Sequence, residues 1–471
     1  MKASPAAPLL TLPQVAQMAG GDLCVREVPG AAAAREAWLR TGIDGVSIDT
    51  RTLKSGDLFV PLPGGHADGH AFLDEAFRRG AAAALCAARA YPALAGHEPG
   101  PLIVVEDVSE GLMRLGRRHR ETWRGLMLCI TGSAGKTTTK DLVAAALATA
   151  QPTLKTEGNL NNHWGVPMTL MRLRPEHRAA VVEIAMNHPG EIALLAALAV
   201  PGAALITNAG SAHLEGLGSL EAIASEKASL GFALRAGEPL FAGSDSPRLL
   251  AALAGVKARL VTYGFAKQAE LRPRRVEDLG ERGSRLEVAG FPAIHLHLIG
   301  AHQVANALGA LAVARELKLD PGVVAGAISA YRPARGRMEV RHARGATLLV
   351  DTYNANPEST AAALETLDAW PDATRRIAVL GDMLELGEGA AALHRETAAR
   401  IRRAELWAVG SHAADYATGV TRARVAPRVF EELEGLKREL AAALAPGVVV
   451  LLKASRGMRL ERALEGLELE P

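Results

Sequence analysis

The stretch ITGSAGKTTTKDLVAAAL, Ile130 to Leu147, decides the fold. An apolar run, LMLCI from Leu126, gives way to a short loop carrying Gly132 and Gly135. Lys136, Thr137 and Thr138 then open an Ala-rich helix. Glycines let a backbone come close to an anion, and the N–H groups at a helix start point at it. A strand, a glycine loop and a helix in this order read as a phosphate-binding loop. In it Gly132, Ser133, Ala134 and Gly135 cradle ATP, Lys136 reaches the β/γ-phosphates and the Thr137 hydroxyl meets Mg²⁺. The loop is short, because only Ser133 and Ala134 separate glycines that usually have four residues between them. A tight glycine turn before an ordinary helix is the plainer alternative.

Outward from this loop, short apolar runs alternate with Ala/Leu-rich amphipathic stretches, the pattern of βαβ units on a mostly parallel sheet. Strands are expected at Leu126–Ile130, Ala180–Met186, Ala203–Ala209, Thr347–Tyr353, Arg376–Asp382, Glu405–Ser411 and Val448–Ala454. Each opens onto Gly, Ser, Asn or Asp, where ligands gather at the carboxyl ends of parallel strands. Breaks near Val108 and Tyr331 divide the 471 residues into three expected domains, 1–107, 108–332 and 333–471, in keeping with the length.

Composition narrows the function classes. Hydrophobic residues make up 49% and charged residues 22%, which suits a folded α/β protein and excludes disorder as its main state. With 53 Lys+Arg against 51 Asp+Glu the net charge is only +2, so the chain is not built to coat nucleic acid or an anionic membrane. Cys24, Cys86 and Cys129 are odd in number and far apart, giving no disulfide framework and no zinc motif. The apolar start is broken by Pro5, Pro8 and Pro13, a poor secretory signal. The longest apolar run, from Ile192, is interrupted by Pro201 and is too short to span a bilayer. A cytoplasmic protein is expected.

Further polar clusters sit where strands end. Glu183 closes an otherwise apolar run, and a carboxylate there is costly unless paired or bound to metal. KTEGNLNNHWG gathers Thr156, Asn159, Asn161 and Asn162; alone, this is turn chemistry. ITNAGSAHLEG presents His213, and Lys227 follows on a helix where it reads as part of a charged face. GAHQVANALGALAVA contains His302 and Asn306, RGRMEV presents Arg337, and VDTYNANPEST presents Asp351, Tyr353, Asn354 and Asn356. GDMLELG from Gly381 and LLKASRGMRLE, with Lys453, Ser455 and Arg456, complete the set.

The short TGxxGKT loop, followed in order by these segments, resembles the Mur ligase superfamily of ATP-dependent amide-bond-forming enzymes. The resemblance implies an α/β chain of three domains: an N-terminal UDP-binding domain, a central phosphate-loop ATPase domain and a C-terminal Rossmann-like domain. It implies Mg²⁺ held by Thr137, Glu183 and His213, with Lys227 joining as a carbamate. It implies ATP contacts from Asn306, Arg337 and Asp351, and a catalytic set of Lys136, His213, Lys227 and Arg337. Substrate contacts are implied for Ser47, Thr50 and Arg51 toward uridine, and for Thr156, Asn159, Asn161 and Asn162. Tyr353, Asn354, Asn356, Ser455 and Arg456 are implied for the incoming amine. The YNANP segment implies that UDP-N-acetylmuramoyl-tripeptide and D-alanyl-D-alanine are the partners joined in cell-wall precursor synthesis, and a monomer is expected. A ligase adding a single third amino acid, and a non-synthetic nucleotide switch, stand as the alternatives.

Overall fold

The apolar run before the phosphate loop forms the strand Leu126–Thr131, buried along nearly its whole length in the computed structural model. The structure describes residues 9–25, 41–64, 68–422 and 425–470. Pro5 and Pro8 of the leader reading lie outside them. Every expected strand forms; six end one to three residues earlier than the apolar run suggested, and Leu126–Thr131 ends one residue later. Ala203–Ile206, Ala346–Asp351, Arg375–Gly381 and Glu405–Val409 stop where Thr207, Thr352, Asp382 and the pair Gly410 and Ser411 begin, while Ala179–Glu183 and Val448–Lys453 end on their own charged residue. The tails TNA, TY, D and GS are therefore loop at the carboxyl ends of strands, where ligands gather. The run from Ile192 divides as expected into the helix Glu191–Ala199 and the next strand.

The chain forms two compact units. The first comprises 1–129, 151–184 and 193–201. Its five-stranded sheet takes the order Asp22–Cys24, Leu102–Val105, Ala83–Ala87, Asp57–Phe59, Gly45–Ser47, all parallel except the first pairing. The helices Leu12–Ala19 and Val108–Thr122 press Leu12, Val15, Leu112 and Leu115 onto Leu58, Leu85 and Ile103. Asp107 caps the second helix by accepting from Glu110 N, the ordinary device for an orphan N–H. Thr153–Lys155 and Ala179–Glu183 pair in parallel in the same unit.

The second unit comprises 130–150, 185–192 and 202–471. It opens with the phosphate loop and the helix Lys136–Ala148, which packs on the helix Ala301–Glu316. Ala203–Ile206, Pro239–Gly243 and Arg259–Tyr263 run in parallel. A three-stranded antiparallel meander, Pro273–Asp278, Ser284–Val288 and Ile294–Leu296, follows them. The last third builds a six-stranded sheet in the order Glu339–Ala343, Ala346–Asp351, Val448–Lys453, Arg375–Gly381, Glu405–Val409, Arg428–Phe430, antiparallel only at the first pair. Alternate residues of these strands enter two separate cores, Leu349, Leu380 and Leu451 in one and Leu348, Val379 and Leu452 in the other. Helices thus cover both faces, as a parallel sheet requires. Among the described residues no helix is long and apolar enough to cross a membrane.

Candidate functional site

The phosphate loop is shaped by two glycines that no other residue could replace. Gly132 has φ +151°, and a Cβ there would lie 1.8 Å from Thr207 Oγ1. Gly135, at φ +79°, begins the helix, and its Cβ would lie 2.2 Å from Asn306 Oδ1. Between them Asn208 holds the loop open: its Oδ1 accepts from Ser133 N at 3.1 Å and Ala134 N at 3.0 Å. Thr207 Oγ1 donates to Ala134 O at 2.6 Å. Ser133 Oγ accepts from Gly210 N at 2.8 Å and donates to Gly210 O at 2.9 Å. Lys136 Nζ folds back on Gly132 O at 2.6 Å, at the rim of the cradle. Thr138 is buried one residue past Thr137, on the inner face of the helix.

Arg337 comes to this loop from the far side of the sequence. Its Nη2 donates to Thr137 Oγ1 at 2.9 Å, and its guanidinium lies 3.9 Å above the Tyr353 ring. A planar cation stacked on an aromatic face keeps its donors aimed along the ring plane. Asn306 is buried, accepts from Thr139 Oγ1 at 3.2 Å and donates to Gln303 Oε1 at 2.9 Å. Its amide is thus engaged with protein groups, bracing Gly135 from behind.

His213 sits in a left-handed turn at φ +65°, which aims its ring across to the GDMLELG loop. There its Nδ1 approaches Glu385 Oε2 to 2.6 Å, an ion-pair contact without hydrogen-bond alignment. The His213 contact, ahead of the opposing effect of burial, lowers the Glu385 carboxyl below its ordinary range. His213 and Glu385 line a cavity of about 100 Å³ with Asn354, Asn356, Leu384, Ser455 and Arg456. Ser455 Oγ accepts from Leu384 N at 2.9 Å and donates to Ala355 O at 3.3 Å, tying two of the cavity's loops together. Arg456 is exposed and paired with Glu461 at 3.0 Å. Asn354 is exposed, whereas Asn356 caps the helix Pro357–Ala369 through Ser359 N.

Asp351 and Lys453 stand side by side on adjacent parallel strands and pair at 2.6 Å. The second Asp351 oxygen accepts from Met338 N at 3.2 Å. Beside them His302 is desolvated, which pushes its imidazole down to about 4. Lys227 is only 1% exposed. Desolvation first, and the charge of Lys136 second, lower its ammonium well below the ordinary lysine range. Burial there favours the neutral amine over the ammonium.

The first unit holds the remaining expected residues. Glu183 is 2% exposed; Asn161 Nδ2 donates to its Oε1 at 2.8 Å, and its backbone N–H donates to Thr156 Oγ1 at 3.0 Å. Asn159 is exposed, and Asn162 is spent on the local turn, accepting from Trp164 N and Gly165 N. Ser47 is buried and bonded to Asp49 O, Thr50 is half-buried, and Arg51 is 84% exposed and paired with Asp49.

Among the described residues no three His, Cys, Asp or Glu side chains converge on one point. The donors expected for Mg²⁺ are instead a hydroxyl, a buried carboxylate, an imidazole and a lysine nitrogen. The hydroxyl and the carboxylate are the hard oxygen donors such an ion takes, whereas Lys227 offers oxygen only once carbamylated.

A glycine cradle at a helix start, flanked by Lys136 and an arginine from the turn that leads into a second, Rossmann-like sheet, defines a protein that grips a nucleotide's phosphates. Family models agree. The Mur ligase family catalytic domain matches residues 42–120, the Mur ligase middle domain 130–314, and the Mur ligase glutamate ligase domain 336–456. The chain belongs to the Mur ligase family. It is 33% identical to UDP-N-acetylmuramoyl-tripeptide–D-alanyl-D-alanine ligase of Bacillus subtilis, over 98% of this chain and 99% of that one. Against the ligase of the same name from Treponema pallidum it is 36% identical, over 89% and 93%. Among solved structures, MurF of Acinetobacter baumannii superposes with a TM-score of 0.84 at 26% identity, covering 97% and 98%. MurF ligase of Thermotoga maritima in complex with ADP superposes with a TM-score of 0.78 at 28% identity, covering 89% and 96%.

Proposed function

We propose that this chain is an ATP-dependent ligase that joins D-alanyl-D-alanine to UDP-N-acetylmuramoyl-tripeptide in the making of peptidoglycan precursor, acting as a cytoplasmic monomer. The observation that carries the reading is the Arg337–Thr137 contact, which brings the third domain's cation onto the phosphate loop. Similarity to ligases of that name along almost the whole chain supports it. The domains are taken as 1–107 for the UDP end of the substrate, 108–332 for ATP and 333–471 for the dipeptide.

In this reading the tripeptide's terminal carboxylate takes the γ-phosphoryl group of ATP and becomes an acyl phosphate. The dipeptide's amine attacks that carbonyl, and phosphate leaves through a tetrahedral intermediate. The protein makes no covalent bond, so positioning and charge neutralisation supply the rate. Lys136 and Arg337 neutralise the transferring group, Lys136 from the rim of the cradle and Arg337 from the end of its Tyr353 stack. Thr137, His213 and carbamylated Lys227 of the second unit, and Glu183 of the first, are the residues that would hold Mg²⁺, which would supply Lewis-acid polarisation of the phosphoryl oxygens. The Lys227 amine gains that role by bonding through Nζ to the carbon of CO₂ and losing one proton, which needs the neutral form that burial favours. Asn354, Asn356, Ser455 and Arg456 line the cavity that takes the dipeptide. Ser47, Thr50 and Arg51 face the uridine, and Asp351, braced by Lys453, the ribose.

Phosphate release measured with and without dipeptide tests this reading. Phosphate production is expected to require tripeptide, ATP and dipeptide together, and Lys136→Ala is expected to abolish it with the fold intact. Release indifferent to the dipeptide would mark a nucleotide switch instead, and near wild-type turnover of Lys136→Ala would remove the phosphate-loop assignment.

A further inference from the structure

The first turn of the helix Pro357–Ala369 makes contacts that neither capping nor the reaction requires. Glu358 places both carboxylate oxygens on Ser211: Oε1 accepts from Ser211 N at 2.8 Å and Oε2 from Ser211 Oγ at 2.9 Å. The seat is shaped for it, since a Cβ on Gly210 would lie 2.6 Å from the Glu358 carboxyl carbon. Asn356, two residues earlier, donates through Nδ2 to Ser133 O at 3.4 Å while capping the same helix. Ser133 and Gly210 bond each other twice. The contacts close a ring running Ser133, Gly210, Ser211, Glu358, Asn356 and back to Ser133. One side of the ring is the phosphate loop. Another leads in two residues to His213. The third is the end of the YNANP segment.

We propose that Glu358 is a positioning residue: it latches the acceptor-binding segment to the His213 loop, so that a seated dipeptide fixes the geometry of the phosphate loop. The proposal rests on the assignment of Tyr353–Asn356 to the dipeptide. A carboxylate accepting from one N–H and one O–H is charge-assisted and directional. Ser211 is buried, so without Glu358 its N–H and hydroxyl lose partners that water replaces poorly. By linkage, a latch that lets dipeptide favour nucleotide binding must let nucleotide favour dipeptide by the same factor.

The test compares ADP affinity with and without D-alanyl-D-alanine in the full chain and in Glu358→Ala, Ser211→Ala, the double variant and Glu358→Gln. Hydrogen exchange is followed at the Ser211 amide. In the wild type the dipeptide is expected to tighten ADP by at least about five-fold. Glu358→Ala and Ser211→Ala should each bring that ratio close to one and quicken Ser211 exchange, and the double variant should lose nothing more. Glu358→Gln, whose amide can accept from the N–H and donate to the hydroxyl oxygen, should retain most of the ratio. An uncoupled wild type, an unchanged ratio in Glu358→Ala or additive losses in the double variant would overturn the latch. Ligation by the wild type, measured alongside, separates the outcomes: a chain that ligates without coupling refutes the latch alone, and one that does not ligate refutes the ligase reading.

Discussion

Lys227 shows how burial prepares chemistry at a single residue. On its helix it reads as a charged face beside Glu226, yet it is buried and its ammonium is disfavoured there. Lys227→Ala is expected to lose most ligase activity and to regain part of it with short-chain carboxylic acids, which replace the carbamate's oxygens; absence of rescue would remove that role. His302 gives a pH prediction. Its imidazole is held at about 4 against an ordinary 6.5, so between those values the unfolded chain binds a proton that the folded chain refuses. Stability therefore rises with pH across that window and falls on acidification, by at most about 3 kcal/mol. Urea midpoints at pH 4.5 and pH 7 should differ less in His302→Asn than in the wild type; an equal difference would assign the acid sensitivity elsewhere. The glycines and Lys136 were legible in the sequence because each residue type matches one task in a phosphate loop, whereas Arg337 entered through the family resemblance. Asn208, Thr207, Glu358 and Glu385 were not. Asn208 meets the loop from 75 residues away, and nothing local marks an asparagine as the residue that will find Ser133 N.

Strands were the most legible elements, since an apolar run ending in polar residues is a physical description of a buried parallel strand. Their ends were overextended because TNA, TY and GS are apolar enough, or lie close enough to apolar residues, to read as a continuation. The antiparallel meander went unread: PRRVED at Pro273–Asp278 offers Val276 as its one aliphatic side chain besides proline, and that valine is exposed. At this scale Asn356 has two tasks, as helix cap and as partner of Ser133 O. Asn356→Ala is expected to lower unfolding stability by about 1–2 kcal/mol, the usual worth of an N-cap, and to weaken nucleotide binding as well. A denaturant midpoint and an ADP titration on one preparation check both, and an unchanged titration would reduce Asn356 to a cap.

The whole molecule divides into two compact units, while the family matches fall in three stretches whose gaps lie at 121–129 and 315–335. The break read near Val108 falls at the start of the helix Val108–Thr122, inside the match over 42–120, and the one near Tyr331 falls just past the helix Pro321–Ala330, inside the gap 315–335. The excursion of 151–184 into the first unit is set by packing between remote segments, which no local composition records. The proposed spread of UDP, ATP and dipeptide contacts over separate parts of one chain fits a reaction whose acyl phosphate must be kept from water until the amine arrives. The most direct measurement supplies the purified chain with UDP-N-acetylmuramoyl-tripeptide, ATP and Mg²⁺, and offers D-alanyl-D-alanine or single amino acids as the amine. Formation of the pentapeptide product with one ADP and one phosphate per amide bond, from the dipeptide alone, is the predicted result; preference for a single amino acid, or no nucleotide consumed with all substrates present, would contradict it.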